Sequence, residues 1–227
     1  MANLTQLKML EGLDGFLLVD KPVGIAFSTV VKTVTRKFNL VKVGHGGSLD
    51  AQASGLFILL IGDANKFVGD VMGADREYIG TLKRGETTDT GDAWGRPIPL
   101  PSRLATPDDL RGDVFQVEPK FCAIRKEGTA EYEVVDTGEH KQFLAHVYRL
   151  KVEEVEKVEE VRFELKASKG VIVRALAQDM GATLTSLRRT KIGKFDVKDA
   201  MPFDKLLTVE MKDFASCVMP LGRALSV

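Results

Sequence analysis

The period of the apolar positions changes several times along the chain, and each change marks an element. "GFLLVDKPVG" opens with a continuous apolar run, Phe16 to Val19, closed by a Pro-Gly turn, and reads as a short buried strand. In "FSTVVKTVTRKFN" the residues Phe27, Val30, Val31, Val34 and Phe38 recur at helical spacing. Lys32, Arg36 and Lys37 fall on the opposite face, and Ser28 is the expected N-cap. "LFILLIG", residues 56–62, is an unbroken apolar run of strand length, and "ANKFVGDVM" reads as a short helix. "REYIGTLKRG" alternates, which puts Tyr78, Gly80 and Leu82 on one side of a strand. A loop rich in Thr, Asp, Gly and Pro spans about 86–107, and Thr106-Pro107-Asp108-Asp109 has the form of a helix start.

From Val114 to Gln142 apolar positions are few and no period is sustained, so a mobile surface excursion is expected there. Two strands follow, about Phe143 to Val155 and Val161 to Ser168. The spacing of Val152, Val155, Val158 and Val161 also suits a helix, but the alternation of Phe163, Leu165 and Ala167 favours a hairpin. "SKGVIVRALAQDMG" turns at Gly170 and enters a helix near Arg174. Irregular alternation of helices with antiparallel hairpins predicts an α+β fold, a mixed and largely antiparallel central sheet flanked by helices. No linker or repeat interrupts the chain, and one domain over 1–227 is expected.

Composition narrows the classes. With 227 residues and 44% hydrophobic content the chain can bury a sizeable core, and no apolar run approaches the length that spans a membrane, roughly 18 residues. The start, "MANLTQLKMLEGLDG", lacks the basic and apolar regions of a signal peptide, so a cytoplasmic protein is expected. Cys122 and Cys217 lie far apart without metal-ligand spacing, which suits a reducing compartment. His45, His140 and His146 form no HExxH pattern, and "DTGDAWG" lacks the spacing of an EF-hand, so no metal is expected. The formal net charge is zero, which taken alone argues against nucleic acid. Its distribution is uneven: Lys21 to Leu49 holds five bases and no acid, Lys166 to Lys194 seven bases against Asp179, and Glu131 to Glu160 nine acids against four bases. That segregation can make a basic face, although solvated faces of helices and strands give the same counts.

The stretch "GHGGSLDAQASG", residues 44–55, surrounds Asp50 with residues that have almost no side chain. It can be a turn into the strand at Leu56, an anion-binding nest without the lysine of a P-loop, or a loop presenting a catalytic carboxylate. A carboxylate-dependent hydrolase is a further option, but no second acid is paired with Asp50 at an evident site.

Segment order adds a family. "GFLLVDKPVGIAFS", "VGHGGSLDAQASGLFILLIGDANKF", "REYIGTLKRGETTDTGDAWG", "SKGVIVRALAQDMG" and "LRRTKIGKF" occur in the order and approximate spacing of the TruB family of tRNA pseudouridine synthases, from about Gly15 to Leu221. The loop resembles that family's signature, GHTGTLDPxATG, with Gly46, Ser48, Ala51 and Ser54 as departures. The resemblance implies a pseudouridine-synthase-like fold with an RNA-gripping insertion at about 114–142. It implies that Asp50 is the nucleophile and that Arg174 pairs with and orients its carboxylate. Tyr78 would stack on the uracil, Leu187 would cover its other side, and Lys21 would lie near Tyr78. His45 would occupy the place vacated by the flipped base, and Arg188 and Arg189 would contact phosphate rather than serve as helix-end charges. The implied partner is the T-arm loop of tRNA, with uridine 55 as target, no cofactor, and a monomer as the working state.

The chain also departs from that family. Around the insertion, Lys120 replaces the usual second proline, Cys122 a serine and Arg125 a lysine, while Pro119, Ala123, Gly128 and Tyr132 are kept. Between "DMG" and "LRRT" the segment "ATLTS" is about six residues too short for the family's Gly-Ala-His element. After Phe203 only 24 residues remain, too few for the PUA-like RNA-binding domain of many members. These features predict weaker, more salt-sensitive RNA binding. They also keep two other readings open, an RNA-binding protein or tRNA-folding chaperone with little turnover, and a pseudouridine synthase for another RNA loop.

Overall fold

The computed structural model describes residues 12–117, 121–126, 129–134, 142–154 and 160–225. The chain divides into two compact units, residues 1–74 with 190–227, and residues 75–189.

In the first unit β1 (Gly15–Lys21) is followed by α1 (Phe27–Lys37), β2 (Val43–His45), β3 (Ser54–Ile61), a 3-10 turn over Gly62–Phe67 and α2 (Val68–Gly73). β1 and β3 pair antiparallel from Gly15↔Ile61 to Lys21↔Gly55, and β2 adds to β3 with His45 opposite Leu59. Both apolar runs are buried along almost their whole length, as expected of strands covered on both faces. Helix α1 buries Phe27, Val30 and Val34 and ends with Arg36 and Lys37, where cations favour the negative end of the helix dipole. Its N-cap is Ala26, without a side-chain bond, so Ser28 is already inside the first turn. The helix stops at Asn39, whose φ of 49° is left-handed.

The second unit carries β4 (Arg76–Arg84), β5 (Thr87–Thr88), β6 (Pro97–Ile98), β7 (Gly112–Val117), β8 (Phe121–Lys126), β9 (Thr129–Val134), β10 (Gln142–Glu154), β11 (Glu160–Ala167), α3 (Val173–Asp179) and β12 (Ala182–Ile192), of which the last three residues belong to the first unit. Its strands lie in the order β12-β4-β11-β10-β7, with β4, β11, β10 and β7 mutually antiparallel. The predicted hairpin of β10 and β11 is present, with Val161, Phe163, Leu165 and Ala167 buried.

Two expectations change here. The Thr106–Asp109 signature makes its reciprocal bonds, with Asp109 Oδ2 accepting from the Thr106 N–H at 2.8 Å, yet it closes a turn and no helix follows. Among 106–112 only Leu110 offers a large apolar side chain to bury, and the chain passes through Gly112 at φ 83° into β7. The stretch expected to lack a period begins with a clear one, since Val114 and Gln116 are buried in β7 while Asp113, Phe115 and Val117 are exposed. The rest of that stretch includes strands β8 and β9, paired antiparallel from Phe121↔Val134 to Lys126↔Thr129. Residues 118–120, 127–128 and 135–141, including Pro119, Lys120 and Gly128, lie outside the described residues.

The chain returns to the first unit with β13 (Phe195–Asp196), β14 (Met201–Pro202), α4 (Phe203–Thr208), β15 (Met219–Pro220) and α5 (Leu221–Leu225). β14 runs parallel to β1 and β15 antiparallel to it. The core of this unit collects Phe16, Leu18, Leu56, Ile58, Leu60, Val71 and Ile192, and Phe195 stacks on Phe16 at 5.5 Å. Among the described residues no helix is long and apolar enough to cross a membrane, and no cluster of His, Cys, Asp or Glu could hold a metal ion.

Candidate active site

In the first unit the loop from Gly44 to Gly55 is fixed largely through its main chain. The Gly46 N–H donates to the Ile58 carbonyl at 2.9 Å, and Gly47, at φ 120°, takes a conformation open to glycine. A side chain at Gly46 would meet Val71 Cγ1, so this chain fills with Val71 the space that the family's threonine would need. The His45 ring lies 5.2 Å from Phe27 and 5.9 Å from Phe57, and its Nδ1 accepts from the Gly47 N–H at 3.3 Å. That bond leaves the ring proton of a neutral imidazole on Nε2. Asp50 is half-buried between Leu49, which is buried, and a turn closed by the Ala53 N–H on the Asp50 carbonyl at 3.1 Å.

The "DKPVG" turn holds this loop from below. The Ala51 carbonyl accepts the Gly24 N–H at 2.7 Å and Lys21 Nζ at 3.4 Å, and Nζ also donates to the carbonyls of Pro22 at 2.8 Å and Ile25 at 2.9 Å. Lys21 is fully buried. Its ammonium therefore tethers the peptide beside Asp50, and the structure brings these two sequence candidates together through Ala51.

In the second unit Arg174 stands in the first turn of α3 and is 5% exposed. Its Nη1 donates to the Thr90 carbonyl at 2.7 Å, and its Nε lies 3.9 Å from Asp92 Oδ2. Asp92 is itself buried, and its Oδ1 accepts from the Thr90 hydroxyl at 2.8 Å and the Trp94 N–H at 2.9 Å. Gln178, one turn further along α3, donates to the Thr88 carbonyl at 2.7 Å. Gly91 has φ 77°, and a Cβ there would come within 2.9 Å of the Arg174 carbonyl. From the other side the amide of Gln116 on β7 exchanges two bonds with Ile172, at 2.9 and 3.0 Å, and seats the start of α3. Asp92, beside Arg174, and Gln116, at the start of α3, are neighbours that sequence reasoning missed. A glutamine at a buried position of an alternating strand is a signal for one, whereas nothing local marks Asp92.

Tyr78 is 8% exposed on β4, opposite Leu165 of β11 and on the face predicted for it. Gly80 on the same face has no side chain because a Cβ would strike the Ser186 carbonyl and the Phe163 ring. Leu187 is buried, Arg188 half-buried and Arg189 2% exposed. All three lie inside β12, so the arginines are strand residues and not helix-end charges. Arg189 is an interior group whose charge reaches Arg76, and burial, with that repulsion added, holds the Arg76 guanidinium below its ordinary value.

The fold defines the class first: a mixed α/β protein with a large, mostly antiparallel sheet flanked by helices, the pseudouridine synthase fold. The chain matches the crystal structure of a Cbf5-Nop10-Gar1 complex with a TM-score of 0.65 and 22% identity, over 96% of this chain and 63% of that one. The structure of an H/ACA RNP bound to a substrate RNA containing 2'-deoxyuridine gives a TM-score of 0.63 and 23% identity, over 96% and 62%. The chain thus spans slightly under two thirds of those chains. Within that class it belongs to the TruB family: the TruB family pseudouridylate synthase N-terminal domain matches residues 35–173. It is 34% identical over 223 residues to tRNA pseudouridine synthase B of Aromatoleum aromaticum, covering 92% of this chain and 72% of that protein. It is 33% identical over 228 residues to the protein of the same name from Opitutus terrae, covering 93% and 95%.

Proposed function

We propose that the chain isomerises uridine to pseudouridine in tRNA, with uridine 55 of the T loop as target, no cofactor, and a cytoplasmic monomer as the working form. Its two compact units serve as one catalytic domain, and 114–142 grips the RNA. Asp50 is the nucleophile. Its carboxylate attacks ribose C1′ or uracil C6, the bond from N1 to C1′ breaks, the base rotates and rejoins C1′ through C5, and the bond to Asp50 breaks to return the free carboxylate. The proton lost from C5 is balanced by one gained at N1, so the composition of the nucleotide is unchanged.

In this reading Tyr78 stacks on the uracil, and its phenol helps to move the C5 proton. Leu187 covers the opposite side of the ring. Arg174, held by Thr90 and Asp92, orients the nucleophile. His45 fills the space that the flipped base leaves, offsetting part of an unstacking cost of a few kcal/mol. Lys21 holds the loop through Ala51, and Arg188 is the phosphate contact, while Arg189, expected to share that role, is buried and does not take it.

The observation that carries this proposal is the family membership, and Asp50 and Tyr78 both lie inside the matched residues 35–173. The test is to incubate the protein with an unmodified tRNA transcript and map pseudouridine, beside D50N. Pseudouridine at position 55 with wild type and none with D50N is expected. RNA binding without product would leave a binding protein or chaperone, and product in another loop would change only the target.

A further inference from the structure

Trp94 is the chain's single tryptophan and is 62% exposed, on a loop that is otherwise closely held. The loop joins β5 to β6. The Asp89 N–H donates to the Arg96 carbonyl at 3.0 Å, the Arg96 N–H to Asp89 Oδ1 at 2.8 Å, and the Gly95 N–H to the Asp92 carbonyl at 3.1 Å. Ala93, next to Trp94, donates its N–H to the Leu184 carbonyl of β12 at 3.1 Å. The Trp94 N–H is taken by Asp92 Oδ1, while Oδ2 of the same carboxylate faces Arg174. The main chain that carries the indole is therefore held in place, two residues from the carboxylate that faces Arg174.

An exposed indole has no use in folding, because it leaves a large apolar ring in water. The carboxylates before it, Asp89 and Asp92, are engaged by main-chain N–H groups, the Thr90 hydroxyl and Arg174, and the charges that follow it are cationic. Between Asp92 and Asp108 there is no acid, and the charged residues are Arg96 and Arg103, both exposed. RNA loops are read by aromatic side chains on which unpaired bases stack, with cations nearby for phosphate.

We propose that Trp94 is a stacking platform for an unpaired base of the RNA substrate other than the uridine that reacts, and that it helps to select the loop. This rests on the proposed function, since it requires that RNA be the substrate. A held main chain suits the role because the loop loses little freedom on binding. Arg96 and Arg103, which follow Trp94 in the chain, supply phosphate contacts.

The chain has one tryptophan, so its emission reports this residue alone. Wild type is titrated with an unmodified T-arm stem-loop while emission is followed. Wild type, W94F and W94A are then compared for RNA affinity by anisotropy of end-labelled RNA and for pseudouridine formation. Emission should be quenched in step with binding, and a duplex of the same stem without the loop should leave it unchanged. W94A should raise Kd about tenfold, the order expected for one stacked base, and W94F, which keeps a ring, should recover most of that. RNA bound and converted by wild type, with unchanged emission and an unaltered Kd in W94A, would overturn the platform and leave the proposed function standing. No binding and no product with wild type would overturn the proposed function, and the platform with it. Since W94F retains an aromatic ring at an exposed position, a folding failure of W94A would leave W94F and the wild-type titration to decide.

Discussion

The two loops that carry the candidate chemistry differ in what is added to their main-chain bonds. The loop of residues 44–55 in the first unit has small side chains, with one buried ammonium reaching in at Ala51. The loop of residues 88–96 in the second unit adds a buried carboxylate of its own, which accepts from a hydroxyl and an N–H and faces a guanidinium. A loop without a central side chain can pass close to a ligand. A loop organised around a buried carboxylate depends on that group, and losing it leaves the donors around it without their acceptor.

That contrast predicts the largest effect at Asp92. D92A should destabilise the protein by about 3 kcal/mol by urea unfolding, because the Thr90 hydroxyl and the Trp94 N–H lose their shared acceptor and Arg174 loses one carboxylate neighbour. A loss of under about 1 kcal/mol would place the second loop with the first, as the surface value would. Next is Lys21. K21M removes the donor to three carbonyls, and the expected cost is about 1–3 kcal/mol. If K21M proved more damaging than D92A, the first loop would be the one that depends on charge.

Gln52 sharpens the comparison with the opposite sign. It is buried two residues after Asp50, and its Nε2 has no hydrogen-bond partner among the described residues. Q52L should therefore raise stability, by about 1 kcal/mol, read as a higher unfolding midpoint. An unchanged or lower midpoint would mean that the amide has a use in the folded loop. The smallest effect belongs to Asp109, whose carboxyl the hydroxyl and N–H of Thr106 hold below the usual carboxylate range. Because the folded value is lowered, this contribution is present above the unfolded value and lost as pH falls through the folded one. D109A should lower stability slightly at neutral pH and leave it unchanged in strong acid, and equal losses at both would remove the carboxylate from the account.

Much of the first loop was legible because its determinants are local. Three glycines and a histidine before Asp50 already say that the main chain must bend and pack closely there. The continuous runs of β1 and β3, the face of α1 and the alternation of β4 and β11 were legible for the same reason, since burial imposes a period on neighbouring residues. Where local signals misled, tertiary contact had overruled them. The Thr106–Asp109 cap formed without a helix, and Arg188 and Arg189 joined a strand because β12 packs beside β4.

Residue types and their order thus carried the fold class, the glycine-rich loop around Asp50 and the family. Only the folded chain decided that Asp92 serves Arg174, from 82 positions away in the numbering, and that Lys21 serves Ala51, 30 positions away. It also decided that Arg189 is interior while Trp94 is exposed. Charge and hydrogen-bond partners are chosen by distance in space, and a sequence records distance only along the chain.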